Sequence, residues 1–305
     1  MVQVSRRRFV ETTAAVATVL GSAQSAVASE VPAPPQIQLG KTGITMSRVG
    51  QGTGVHGGNR QSDQTRMGFE KLVNLFHHAY ERGITFFDLA DLYGSHVYFR
   101  EALRTIPRDK ITIMTKLWWR FDGPESGTRQ PFRKQLVQNA MNRFQHELTH
   151  DKKAPIEYID IVLLHCMKTG KWDEELQLYM EELAAAKEKG LIRAVGVSCH
   201  DLGALKTAAK CPWVDVVLAR INPKGVKMDG TPEEITAVLK EMKDNGKAVI
   251  GMKIFGEGAL SGEKDACIKF AQGLGVLDAM TIGFHEPEQI DDVLRMIQQY
   301  PAKVV

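Results

Sequence analysis

The chain has 305 residues, with 39 lysines and arginines against 36 aspartates and glutamates, and its net charge of +3 gives no argument for nucleic-acid binding. That length suits either two average domains or one large α/β barrel. Four scattered cysteines, Cys166, Cys199, Cys211 and Cys267, exclude a disulfide scaffold in a chain of this size and read as free, largely buried thiols.

At the N-terminus, Ser5-Arg6-Arg7-Arg8-Phe9-Val10 leads into an uncharged, Ala-rich stretch from Thr12 to Leu20 and then to Ala26-Val27-Ala28, a small-x-small cleavage pattern. Residues 1–28 therefore read as an export signal. The paired arginines resemble the twin-arginine signal, which sends folded proteins across the bacterial inner membrane to a periplasmic or secreted destination. The apolar stretch is too short and too weakly hydrophobic for a membrane span, although an uncleaved signal would serve as an anchor. Residues 29–36, with Pro32, Pro34 and Pro35, read as a flexible leader before a folded body over 37–305.

That body opens with Ile37-Gln38-Leu39-Gly40 and Ile44-Thr45-Met46 on either side of Lys41-Thr42-Gly43, a hairpin suited to plugging the bottom of a barrel. Short apolar runs then alternate with amphipathic stretches, as in a parallel sheet with helical crossovers. Strands are predicted at Arg48–Gly52, Thr85–Phe87, Ile111–Thr115, Ile159–Leu164, Ile192–Val197, Val214–Leu218, Ala248–Met252 and Ala279–Ile282. Helices are predicted at Gly68–Arg82, Phe132–Thr149, Asp173–Lys189, Pro232–Asn245 and Pro287–Gln299, with Gly83, Gly190 and Gly246 as stops. Eight strands in one unbroken alternation predict a closed (β/α)8 TIM barrel, and no Gly-x-Gly-x-x-Gly follows an early strand to support a Rossmann sheet.

In such a barrel the chemistry collects at the C-terminal strand ends. Asp88 and Tyr93 follow the second strand, Lys116 the third and His165 the fourth. A lysine ending a buried strand needs a counter-charge, and Asp88 is within reach on the neighbouring strand. A tyrosine held against that ammonium is expected to have a lowered pKa and to donate a proton more readily, while His165 orients the same substrate oxygen.

The run Gly83-Ile84-Thr85-Phe86-Phe87-Asp88-Leu89-Ala90-Asp91-Leu92-Tyr93-Gly94 resembles the first sequence signature of the aldo/keto reductases. Gly50-Gln51-Gly52-Thr53 is similar to that family's first strand end, Glu157-Tyr158-Ile159-Asp160 with His165 to its fourth, and Gly190-Leu191-Ile192-Arg193-Ala194-Val195-Gly196-Val197-Ser198 to its fifth. The resemblance implies carbonyl reduction by hydride from a nicotinamide, NADPH or NADH, without a metal ion. Tyr93 would be the general acid, Lys116 and Asp88 would tune it, and His165 would position a small-molecule carbonyl substrate.

The cofactor grip departs from the family pattern. Gly52 and Thr53 end the first strand and Ser198 is retained, but Cys199 stands where Asn is usual and Leu218 where Gln is usual; Phe255 is the candidate ring for stacking on the nicotinamide. Arg220 and Lys253, at adjacent strand ends, read equally as contacts to a pyrophosphate or anionic substrate and as partners in local salt bridges. Trp118 and Trp119 are candidate pocket walls. Gly283, Glu288 and Gln289 are candidates for the adenosine side, and the stretch Thr281–Gln289 contains no lysine or arginine to clasp a 2′-phosphate.

Two other functions are open at this point. His165-Cys166 and Cys199-His200 end adjacent strands and would gather metal ligands in a metal-dependent barrel enzyme, although neighbouring strand residues point to opposite faces. A non-catalytic nucleotide-binding or regulatory barrel would account for the eroded carboxamide grip but not for the intact Asp88, Tyr93, Lys116 and His165.

Overall fold

The structure, a computed structural model, describes residues 31–119 and 130–303. The export signal read over 1–28 therefore lies outside the described residues. Two short strands, β1 (Gln36–Gln38) and β2 (Thr45–Ser47), pair antiparallel with Ile37 opposite Met46. Eight strands then close a parallel barrel: β3 (Val49–Gly52), β4 (Phe86–Asp88), β5 (Thr112–Leu117), β6 (Ile159–Met167), β7 (Ile192–Cys199), β8 (Val216–Arg220), β9 (Ala248–Met252) and β10 (Ala279–Ile282), with β10 back against β3. The expected TIM barrel and N-terminal hairpin are thus observed.

The period-2 alternation of each strand divides the core into two. Facing inward are Phe86, Met114, Ile161, Leu163, Ala194, Val216, Leu218, Ala248, Ile250 and Ala279, and the hairpin adds Leu39, Ile44 and Met46 from below, all essentially without solvent contact. The interior is filled rather than open. At Gly50 a Cβ would lie 2.2 Å from the Phe86 ring, so a side chain there would displace an interior aromatic. Facing outward, residues such as Phe87, Ile113, Val162 and Val197 pack under the helices, with Phe76 and Phe99 edge-on to each other at 5.0 Å between centroids.

The helices on that outer layer are α1 (Asp63–Arg66), α2 (Phe69–Glu81), α3 (His96–Ala102), α4 (Gln130–Leu148), α5 (Trp172–Glu175), α6 (Gln177–Glu188), α7 (Leu202–Lys210), α8 (Pro232–Asp244), α9 (Lys264–Gly273) and α10 (Pro287–Gln299). Local signals explain their ends: Thr231 and Glu234 form a capping box on either side of Pro232 at the start of α8, and Gly246 takes φ 75° just after it. The single helix expected over Asp173–Lys189 is instead broken at Leu176, where φ and ψ are −112° and 17°. Tertiary packing overrides the helical period here. Trp172 and Leu176 are both buried, and the Trp172 indole N–H donates to the Ala204 carbonyl of α7 at 3.1 Å.

The expected leader also differs from expectation. From Val31 onward it is docked: Val31 packs against the outer core, the Arg48 N–H donates to the Pro35 carbonyl at 2.9 Å, and Gln36 belongs to β1. All four cysteines are free thiols, and only Cys166 is appreciably exposed. Among the described residues no helix is long and apolar enough to cross a membrane.

Candidate active site

Asp88, Lys116 and His165 are the inward-facing residues at the tops of β4, β5 and β6, one alternation above Phe86, Met114 and Leu163. All three are buried. Lys116 Nζ donates to Asp88 Oδ1 in a very short contact and to the Leu89 carbonyl at 3.1 Å. Asp88 Oδ2 accepts from the Thr281 hydroxyl of β10 at 3.0 Å. The buried carboxylate is therefore satisfied on both oxygens, which is what makes its burial tolerable.

Tyr93 stands in a 3-10 turn, Asp91–Tyr93, closed by Gly94 at φ 64°. Its hydroxyl lies 3.3 Å from His165 Nε2, and the two rings meet edge-on at 5.4 Å. The Lys116 ammonium sits over the phenol face, 4.8 Å from the ring centroid. Two glycines admit the ring: a Cβ on Gly54 or Gly57 would come within 2.3 or 2.4 Å of it. The four residues expected at the rim are thus brought together.

One expectation about them is reversed. Burial and the charge of Asp88 push the Tyr93 phenol well above its ordinary value instead of the lysine pulling it down. The ammonium faces the ring rather than the hydroxyl and is neutralised by Asp88, so desolvation of the phenolate prevails. Tyr93 accordingly keeps its proton throughout the neutral range. His165 is pushed well below its ordinary value by burial and by the charge of Lys116, so its imidazole is neutral.

The other expected contacts divide. Trp118 packs edge-on to His165 at 5.8 Å between ring centroids, whereas Trp119 packs against the outer core while its indole donates to the His165 carbonyl at 2.9 Å. Thr53 is fully buried with its hydroxyl on the Asp88 carbonyl at 2.8 Å, so it anchors that residue from behind. Gly52 leaves room for Thr281, whose Oγ1 would be 2.8 Å from a Cβ there. Ser198 accepts from the Cys166 N–H at 2.8 Å and supports a bulge at the end of β6, where Cys166 takes φ 63°. Cys199 does not reach the mouth: it packs outward with Val195 and Val197 beneath the helices, because one residue along a strand reverses the face.

Arg220 and Lys253 are both held in ion pairs, with Asp229 at 3.0 Å and with Glu257 at 2.7 Å. Arg220 Nη2 also donates to His200 Nδ1, which leaves the imidazole proton on Nε2, facing Cys166 Sγ at 3.6 Å. Burial first, then Arg220 and Lys253, lower the His200 pKa to about 2. Of the four residues read as metal ligands, Cys166 and His200 meet, whereas Cys199 faces away into the outer core. Among the described residues no three His, Cys, Asp or Glu side chains gather as a metal site.

Both histidines bear on acid stability. Their folded pKa values lie below the unfolded value of about 6.5, so the stability they contribute is full above that pH and is lost as pH falls below it. The melting temperature is expected to drop between pH 7 and pH 5, and less steeply in His200→Gln, whose amide can still accept from Arg220. Calorimetric scans across that range giving parallel slopes for the two proteins would count against a buried neutral His200.

At the far rim, Gly283 packs against the loop after β3, where a Cβ would lie 2.4 Å from Val55 Cγ2. Gln289 caps α10: its Oε1 accepts from the His285 N–H at 2.8 Å, and with Glu286 it forms a capping box. Glu288 is exposed, while Phe255 is half-buried against the outer core. Sequence reading missed Thr281, Gly54 and Gly57. Counting by twos from inward-facing Ala279 would have found Thr281, but nothing local marks the two glycines as neighbours of Tyr93.

A sequence model of the Aldo/keto reductase family matches residues 48–273. The chain is 25% identical over 237 residues to the "NADH-specific methylglyoxal reductase" of Escherichia coli, covering 74% of this chain and 69% of that one. It is 29% identical over 167 residues to the "Probable aldo-keto reductase 1" of Glycine max, covering 53% of this chain and 44% of that one. Among solved structures, an aldo-keto reductase from Bacillus halodurans in its holo form superposes with a TM-score of 0.63 at 19% identity, over 89% of this chain and 92% of that one. A Pseudomonas aeruginosa protein assigned to the same family superposes with a TM-score of 0.67 at 21% identity, over 87% of this chain and 94% of that one.

Proposed function

Because this chain belongs to the aldo/keto reductase family, we propose that Tyr93 protonates the substrate oxygen, with His165, Lys116 and Asp88 as its supporting residues. The protein is an oxidoreductase of that family, acting on carbonyl compounds with NAD(P)H. The observation that carries the assignment is the approach of Tyr93 Oη to His165 Nε2 at 3.3 Å, above the Lys116–Asp88 pair.

A carbonyl oxygen entering between Oη and Nε2 meets a phenol that still holds its proton and an uncharged imidazole edge. While the oxygen is neutral, the raised Tyr93 pKa keeps the proton in place; as negative charge builds on the oxygen, the proton moves to it from Oη. The Lys116 ammonium beneath the ring offsets the phenolate charge left behind. Asp88 and Thr281 fix that ammonium, since a lysine with three donors would otherwise find other acceptors. Trp118 shields one side of His165 from water.

The nicotinamide supplies hydride when bound. The donor set at the ends of β8 and β9 fits its diphosphate: Arg220 ends β8 and Lys253 directly follows β9, and although each has a carboxylate partner, the Arg220 Nε is buried without one. The N-terminus of α10, with Gly283 and the exposed Glu288 nearby, fits the adenosine end. Gln289 would have to leave its cap to contribute.

For the nucleotide, we propose weak preference for NADPH or the reverse, NADH over NADPH. A 2′-phosphate at Thr281–Gln289 meets Glu286 and Glu288, and the lysine that the fold brings there, Lys71 of α2, is already paired with Glu286. Fluorescence titration at low salt is expected to show NADPH favoured by no more than about a hundredfold, on the order of 2.7 kcal/mol, with equal or tighter binding of NADH equally in keeping with the proposal. A larger preference for NADPH would overturn the reading. Small oxoaldehydes such as the methylglyoxal in the name of the Escherichia coli relative head the list of substrates to test, by loss of the reduced-nicotinamide absorbance.

We also propose that residues 1–28 direct export by a twin-arginine route, which requires either a tightly held cofactor loaded before translocation of the folded barrel or another source of electrons outside the cytoplasm. Replacing Arg6 and Arg7 by lysine is expected to retain folded protein in the cytoplasm. Unimpaired export of that form in fractionated cells would refute the route.

A further inference from the structure

Behind the Tyr93 turn runs a chain of charged and polar groups that the reaction itself does not use. Asp91, buried at the start of the turn, receives Arg60 Nη1 on Oδ1 at 2.7 Å and Arg143 Nη2 on Oδ2 at 2.5 Å. Arg60 Nη2 continues to Glu147 Oε1 of α4 at 2.6 Å. Glu147 Oε2 meets His96 Nδ1 of α3 at 2.8 Å, and His96 Nε2 meets Thr115 Oγ1 of β5 at 2.7 Å. His96 and Thr115 have no solvent contact. The chain therefore starts two residues before Tyr93 and ends one residue before Lys116, on the outward side of β5 while Lys116 faces inward.

Backbone packing ties the same segments together. The loop after β3 lies directly on the Tyr93 turn: a Cβ on Gly94 would be 2.2 Å from the Arg60 carbonyl oxygen, and Gly54 and Gly57 of that loop touch the Tyr93 ring. Arg60 itself is left-handed at φ 59°, a conformation an arginine adopts only where its surroundings hold it. Burial raises the Glu147 pKa, but His96 and Arg60 outweigh it and hold the carboxyl below its ordinary range, so the links remain charge-assisted.

We propose that Asp91, Arg60, Glu147 and His96 are positioning residues that set Tyr93 and Lys116 in register with each other. The inference rests on Tyr93 as the general acid. Apolar side chains of similar volume would stabilise this layer as well as buried ion pairs do, whereas only directional bonds fix one turn against one strand. A displacement of about 1 Å between groups that act together costs on the order of a hundredfold in rate.

Asp91→Asn is the direct test, with Arg60→Ala as the second variant because 43% exposure of the Arg60 side chain lets the site tolerate its loss. Each is expected to lower kcat by about tenfold to a hundredfold, with KM and nucleotide affinity unchanged. Asp91→Asn combined with Glu147→Gln should lose no more than the worse single variant, since links of one chain are not independent. If both test variants lower only the melting temperature, or if the double loss is multiplicative, the chain is structural and the inference fails. Unchanged kcat in Tyr93→Phe would instead overturn the assignment of Tyr93, an outcome distinct from these.

Discussion

Tyr93→Phe is expected to lower kcat by a factor of about 10² to 10⁴, the usual contribution of a positioned general acid, while nucleotide affinity stays nearly unchanged. The substitution removes Oη and its approach to His165 Nε2 but keeps the ring that Gly54 and Gly57 accommodate and that Lys116 faces. The fold should therefore survive, losing about 1–3 kcal/mol for an imidazole nitrogen left without its partner. Steady-state kinetics beside a nucleotide titration decides the matter, and a variant that keeps most of its kcat removes Tyr93 from the chemistry. Because the phenol is held above its ordinary value, the wild-type rate should show no alkaline loss near neutrality from this group.

Lys116→Met is expected to damage stability as well as rate. It leaves the Asp88 carboxylate buried with the Thr281 hydroxyl as its remaining side-chain partner. Breaking a buried pair from one side costs about 3–5 kcal/mol, far more than losing an exposed salt bridge. Adding Asp88→Asn should return most of that stability, because a neutral amide can still accept from Thr281, yet it should return none of the activity. Urea unfolding of the single and double variants separates the two effects. Equal stability of Lys116→Met and wild type would mean that the Asp88–Lys116 pair is not held as described.

The barrel was legible because its signals are local and repeated. Strands such as Ala248–Met252 and Ala279–Ile282 stand where the apolar runs put them, and helix ends such as Pro232 and Gly246 carry their own capping chemistry. Thr85–Phe87 and Ile111–Thr115 were placed one or two residues short, since the strands continue to Asp88 and through Lys116. A polar residue ends an apolar run without ending the ladder when a partner on the next strand satisfies it. The helix break at Leu176 had no local sign, because it answers to the burial of Trp172 against α7.

The sequence by itself determined the alternation of eight strands with helices, and it placed Asp88, Lys116 and His165 at strand ends and Tyr93 in the turn after β4, all toward one rim. Only the tertiary structure decided what those residues are to one another. Whether an ammonium faces a phenol's ring or its hydroxyl, whether Ser198 serves a bulge, and whether Arg220 is claimed by Asp229 and His200 depend on distances between side chains that different strands and loops bring together. Charge and desolvation act through those distances, and so the direction of the Tyr93 pKa, expected to fall, was set by burial to rise.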